Sequence, residues 1–181
     1  MNLLEALLNE SNGDAVAQLS KNFGLDSQST RNVLEQLAPA LSRGIQRNAG
    51  TPKGMEELMS ALQRGNHQRY AEDLSHISRA ETIADGNGIL GHIFGSKDVS
   101  RNVAGYASTQ TGVSSSIIKK LLPVVATLAM GALSKRTQAG RALQSAPAAG
   151  GGLPDILSSF LDTDRDGSIA DDLFNLARKF F

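Results

Sequence analysis

The sequence predicts an all-α protein, built from two homologous helical repeats followed by a C-terminal helix, an acidic loop and a last helix. Three observations carry this prediction. Aromatic residues make up 4% of the 181 residues, Trp is absent, and Ala and Leu dominate the apolar positions, which favours close-packed helices over a β-sandwich. Apolar residues recur at three- and four-residue spacing through the long segments. The chain also matches itself without gaps when displaced by 88 residues.

In that match Gly24-Leu25-Asp26 falls on Gly112-Val113-Ser114, Val33-Leu34 on Leu121-Leu122, Leu37-Ala38 on Val125-Ala126, and Ile45 on Leu133. Each repeat opens with a short apolar stretch, Leu3 to Leu8 or Ile89 to Phe94, followed by a turn containing Gly13 or Gly95. A helix follows (Ala15 to Phe23; Val99 to Thr111), then a glycine turn and a longer helix (Asp26 to Arg47; Ser114 to Lys135). Asp26 and Ser114 stand where N-caps belong, with side-chain oxygens able to accept from free amides. Gly24 and Gly112 are placed to close the preceding helices in the left-handed conformation. Val33, Leu34, Leu37, Leu41 and Ile45 fall on one face, as do Ile118, Leu121, Leu122, Val125 and Ala129. The second long helix is apolar nearly all round, so it is expected to be central. Pro39 and Pro123 lie inside these helices and are expected to kink or interrupt them, since proline removes a hydrogen bond and clashes one turn back.

Between the repeats the sequence predicts a helix from Lys53 to Gln63, a break at Gly65-Asn66 and a short helix from Gln68 to Leu74. Beyond them, Gln144 to Pro154 is small and glycine-rich, a linker by composition. The expected organisation is therefore a first repeat with its linking helices over 1–85, a second over 86–143, a linker over 144–152 and a tail over 153–181.

Composition is that of a soluble globular protein, 40% hydrophobic and 20% charged, and the absence of Cys excludes disulfides, thiolate metal sites and a cysteine nucleophile. The N-terminus lacks a basic region, a long apolar core and a small-residue cleavage site, so the expected location is cytoplasmic, with export by a route that needs no signal compatible with the same sequence. The most apolar run, Leu121 to Leu133, is 13 residues long, shorter than the ~20 that span a bilayer, and reads as a buried helix. Net charge is zero but uneven: 9 basic and 12 acidic residues over 1–100, 6 basic and none acidic over 101–152, 3 basic and 6 acidic over 153–181. The basic middle either complements the acidic tail or meets phosphate. Six charges over 52 residues form no dense patch, which favours the first reading.

Ser20 to Val33 has the spacing of a helix-turn-helix, which would turn Arg31, Asn32, Gln36 and Arg43 toward nucleic acid. Any capped helix after a glycine turn gives the same pattern, and Asp14, Asp26 and Glu35 would repel a phosphate backbone. The second repeat, with Lys119, Lys120, Lys135 and Arg136, is the better candidate for such binding.

A glycine-capped helix running into "LLPVVATLAMGAL", a Gly/Ala-rich linker and a terminal "FLDTDRDGSIADDL" are together similar to a widespread bacterial domain-of-unknown-function family. That family is distantly related to the YidB proteins, whose helical fold is homeodomain-like. The resemblance spans most of the chain in outline and is most specific over Gly112 to Lys135 and Phe160 to Leu173. It implies an all-helical, homeodomain-like fold and brings no activity, substrate or catalytic residue. The first repeat departs from the pattern, with Glu35 where the second has Pro123, and reads as a diverged copy.

The acidic segment Asp162 to Leu173 carries the clearest chemistry. A calcium loop of EF-hand type needs oxygen ligands at positions 1, 3, 5, 7 and 12 and glycine at 6. Asp162, Asp164, Asp166 and Gly167 fill 1, 3, 5 and 6, and Ser168 offers its carbonyl from 7. Position 12 is Leu173, so Asp171 and Asp172 complete the set only in a loop of modified length. A capping box of Ser168 and Asp171 explains the helix start but leaves three mutually repelling carboxylates at alternate positions, which a Ca2+ ion would relieve.

The three histidines, His67, His76 and His92, have no helical zinc spacing and read as surface or helix-end residues. The glycines from Gly86 to Gly95 follow no strand and read as punctuation of a short helix, with no phosphate loop and no nucleophile elbow. The expectation is a non-enzymatic protein-interaction or assembly protein, self-associating or binding another protein, with calcium on its tail. The rival is nucleic-acid binding by the basic second repeat. No small-molecule substrate is evident.

Overall fold

The computed structural model describes residues 3–9, 14–64, 69–70, 73–77 and 79–144, and among these it is helical without a strand. The helices are α1 (Leu3–Asn9), α2 (Asp14–Phe23), α3 (Ser27–Ala49), α4 (Pro52–Arg64), α5 (Ala80–Phe94), α6 (Lys97–Thr111) and α7 (Ser115–Gln144), with a 3-10 turn at Leu74–His76 between α4 and α5. The tail and the linker before it lie outside the described residues.

The glycine turns fall where the residues require. Gly24 and Gly112 have φ of 66° and 73°, a region open to glycine because it lacks a Cβ. After the first, Asp26 caps α3 by accepting from the Ser29 amide at 2.8 Å and the Ser29 hydroxyl at 2.6 Å. After the second, the Ser114 side chain does not cap as expected: its hydroxyl meets that of Ser116 at 3.1 Å, and only its carbonyl accepts from the amides of Ile117 and Ile118, at 3.0 and 3.1 Å. Helices α3 and α7 begin at Ser27 and Ser115, which are 115 − 27 = 88 residues apart, as are the two glycines.

Packing between the halves is reciprocal. Helix α1 lies on α3 and α7, and α5 lies on α7 and α3; α6 packs on α3, while α2 touches α7. One continuous apolar core results, fed by both halves, with α4 closing it through Leu58 and Leu62. The expected stripes face this core: Val33, Leu34, Leu37 and Leu41 are fully buried, and Ile118, Leu121, Val125 and Ala129 likewise. Each such side chain contributes on the order of 1.5–3 kcal/mol by leaving water. Every residue of α7 from Leu121 to Ser134 is buried, so this helix is central. By length and composition Ser115–Thr137 is able to cross a membrane, but 78% of that window is buried within the protein, as in a core helix.

Three other expectations are corrected. Helices α3 and α7 continue through Pro39 and Pro123 without interruption. The carbonyls one turn back that lose their amide partner belong to Glu35 and Lys119, both exposed residues at the protein surface, where solvent is at hand to compensate the lost bond. The helix expected over 89–94 begins at Ala80, so the 85/86 boundary falls inside α5 and its glycines lie within a helix. Gly86 is there because a Cβ would sit 2.0 Å from the Pro123 carbonyl oxygen; only glycine lets α5 approach α7 so closely. Lastly, of the short helix expected over 68–74, Arg69 and Tyr70 are helical, but Leu74 opens the 3-10 turn, capped by Asp73 through the Ser75 amide at 2.9 Å. Helix α4 starts at Pro52 because Thr51 caps it, its hydroxyl accepting from the Gly54 amide at 3.0 Å, and proline suits a first position whose amide has no helical partner.

Candidate functional site

An apolar groove of about 60 Å³ opens between α3, α4, α5 and α7. Ile45 of α3, Leu58 and Ala61 of α4, Ile89 and Ile93 of α5, and Met130 of α7 form its walls. Amphipathic α4 positions it: Leu58 and Leu62 turn inward, whereas Glu56 and Glu57 turn out. Leu58, Ile89 and Ile93 keep 7, 9 and 7% of their surface exposed, where most of the core is at 0–4%. These three core side chains thus reach the surface at this opening.

The rim is polar. Asn48 Nδ2 donates to the His92 carbonyl at 3.1 Å, tying the end of α3 to the last turn of α5. His92 Nδ1 lies 3.7 Å from Glu57 Oε2, and Lys53 Nζ lies 3.9 Å from Glu57 Oε1. The His92 side chain is 68% exposed, as its reading as a helix-end histidine predicts, so the pair shapes the rim and adds little stability. What the groove offers chemically is apolar contact with a charged edge.

A second polar cluster went unforeseen. Tyr70 is buried at 2% exposure, and its hydroxyl donates to the Asp85 carboxylate on α5. Arg69 donates to the same phenol oxygen at 2.5 Å, lies 3.5 Å from Asp85 and stacks 4.7 Å from the Tyr70 ring centre. Burial pushes the Tyr70 phenol above its ordinary pKa, and its hydrogen bond to Asp85 adds to the shift. The cluster fastens residues 69–70 to α5. In sequence its only signal is an Arg-Tyr pair in a chain with two tyrosines.

Lys119 and Lys120 are exposed near the start of α7, and Lys135 is exposed and Arg136 half-buried sixteen residues on. Along a helix that interval is about 24 Å, with the buried core segment between, so the two pairs do not form one patch. Of the first-repeat candidates, Arg31 is exposed, Gln36 and Arg43 are half-buried, and Asn32 accepts from Gln28 Nε2 at 2.9 Å. The calcium candidates Asp162, Asp164, Asp166, Ser168, Asp171 and Asp172 lie outside the described residues. Among those described, no cluster of three or more His, Cys, Asp or Glu is arranged to hold a metal. His67 also lies outside, and of His76 only the backbone is described.

No curated protein and no solved structure matches the chain. The groove, both glycine turns and the buried run of α7 from Leu121 to Ser134 fall within residues 5–136, the span that matches the model of the family described as "bacterial protein of unknown function (DUF937)", and the chain belongs to that family.

Proposed function

We infer that the chain is a non-enzymatic helical interaction or assembly protein whose body presents the groove between α3, α4, α5 and α7 to an apolar segment. The observation that carries this reading is the groove itself, an apolar opening with a charged rim walled by residues of four helices. The shared 88-residue offset of glycine turns and helix starts, with the reciprocal packing, supports a duplicated three-helix unit. In this reading the acidic tail binds Ca2+ through Asp162, Asp164 and Asp166, with Ser168, Asp171 and Asp172 completing the set.

Two experiments test it. Ala61→Arg, which fills the groove from a half-buried position, should abolish concentration-dependent association in sedimentation equilibrium, or capture of an apolar helical peptide, while preserving the helical spectrum. Unchanged association of a folded Ala61→Arg protein refutes the groove as the interface. Calorimetric titration of the full chain with calcium should give saturable heat, lost when Asp162, Asp164 and Asp166 become Asn; no heat at millimolar calcium, the range of the weakest known calcium modules, removes the metal from the reading.

The alternative reading, nucleic-acid binding, draws on the exposed Lys119 and Lys120 and on the absence of any acidic residue from 99 to 154. Phosphate binding falls steeply as salt rises, whereas apolar association does not, so a salt series separates the two.

A further inference from the structure

We propose that the occupant of the groove is the chain's own segment Leu153–Leu161, seated in cis; this rests on the groove being an interaction site. Leu153, Ile156, Leu157, Phe160 and Leu161 recur at i, i+3, i+4, i+7 and i+8, so a helix over these residues gathers all five on one face. Asp155, Ser158 and Ser159 fall on the other. A nine-residue helix has too few turns to hold by itself in water and gains stability by laying such a stripe on an apolar surface. The groove supplies one, with Leu58, Ile89 and Ile93 left partly uncovered in its walls.

Reach selects this segment and favours the same chain. Helix α7 ends at Gln144, and its groove residue, Met130, lies fourteen residues back, about 21 Å along the axis. The nine steps from Gln144 to Leu153 extend to at most about 30 Å, enough to return to the level of Met130. A glycine-rich chain of that length has a typical end-to-end distance of about 17 Å, so it holds the segment near the groove at an effective concentration of order millimolar. The terminal stripe Leu173, Leu176, Ala177, Phe180 and Phe181 has the same spacing but follows twenty residues later, across the acidic loop. The residues of 153–161 carry a single charge, Asp155, so seating their apolar face buries no ion.

The chain has no cysteine, so an engineered pair reports without interference. In the full-length protein, Ala61→Cys on the groove wall is combined with Ser159→Cys, which flanks the apolar stripe one turn from Ile156 and so lies near the groove edge when the segment is seated. Arg101→Cys, exposed on α6, replaces Ala61→Cys in the control. Under mild oxidation the Ala61 pair should form an intrachain disulfide at least about tenfold faster than the Arg101 pair, as expected of a seated segment rather than a free one. Adding Ile156→Asp and Phe160→Asp, which leave the body untouched, should erase the difference. Faster bonding of Ala61→Cys to Lys179→Cys, the corresponding position beside the terminal stripe, than to Ser159→Cys assigns the groove to the terminal stripe and overturns the proposal. A disulfide between chains at Ala61→Cys also overturns it, while leaving the groove as an interface for a second copy. Equal rates at Ala61→Cys and Arg101→Cys, within and between chains, overturn the proposal and leave the groove to a different protein, which the peptide capture tests separately.

Discussion

In the first three-helix unit Ser20 and Thr30 meet through their hydroxyls at 2.8 Å in the buried seam between α2 and α3, whereas 88 residues on the second unit has Ser108 and the fully buried Ile118. The backbone at these two seams follows one plan: a helix, a glycine at positive φ, and a longer helix beginning three residues later. The chemistry holding them differs. Both long helices bury polar residues, Thr30 and Ser42 in α3 and Thr127, Ser134 and Thr137 in α7, but Thr30 bonds across a seam to another helix while Thr127 turns back on the Pro123 carbonyl of its own helix at 2.8 Å, within an unbroken buried run from Leu121 to Ser134. Turn geometry is set by glycine, whatever packs behind it. Seam composition follows depth: α7 is surrounded by α1, α5 and α6, so apolar contact is available on every side.

Substitutions at corresponding positions sharpen this contrast. The largest effect is expected from Leu34→Ala and Leu122→Ala, which empty equivalent places in the single core; each should cost about 2–5 kcal/mol in denaturant unfolding. Should one prove nearly neutral, the halves do not share the core equally. Next comes Gly86→Ala, whose new Cβ meets the Pro123 backbone and should cost about 1–3 kcal/mol by forcing α5 from α7. Its control, Gly88→Ala, enters open space in the same helix and should stabilise by about 0.5–1 kcal/mol. Gly24→Ala and Gly112→Ala, strained by positive φ though not crowded, should each cost about 1–2 kcal/mol. Unequal losses there would show that the two turns are not equivalent.

The smallest effect is a pH dependence confined to the first turn, where Asp26 caps α3. The Ser29 hydroxyl, and then the Ser29 amide, hold the Asp26 carboxylate below its ordinary pKa of 3.8. A depressed folded-state pKa stabilises above the unfolded value, and that contribution fades as pH falls through the folded value. Asp26→Asn keeps a capping oxygen but does not titrate, and Ser114 in the second unit does not titrate either. The urea midpoint of the native protein should therefore exceed that of Asp26→Asn by a constant amount at neutral pH, with the difference shrinking below about pH 4. A difference that persists into acid would mean that the charge contributes nothing to the cap.

Much of the fold is legible in the sequence because its determinants are local. Gly24, Asp26, Gly112 and the stripes of α3 and α7 are read from neighbours three or four places away. The start of α5 was missed because Gly86, Gly88 and Gly91 argue against a helix by propensity, and only the crossing with Pro123 explains the first of them. Both prolines misled for a related reason: the lost hydrogen bond falls at an exposed residue, and exposure is a tertiary property. The groove was invisible, since its walls come from four helices spread from Ile45 to Met130, and the Tyr70–Asp85 link joins residues fifteen apart across the 3-10 turn.

The central claim is that two three-helix units share one core and so fold as one cooperative body. Differential scanning calorimetry of the full chain tests it most directly, by comparing the calorimetric enthalpy with the van't Hoff enthalpy of the main transition. A shared core predicts one transition with equal enthalpies, shifted as a whole by either Leu34→Ala or Leu122→Ala. Two transitions, with Leu34→Ala moving only one of them and Leu122→Ala only the other, would contradict it and make the units separate lobes.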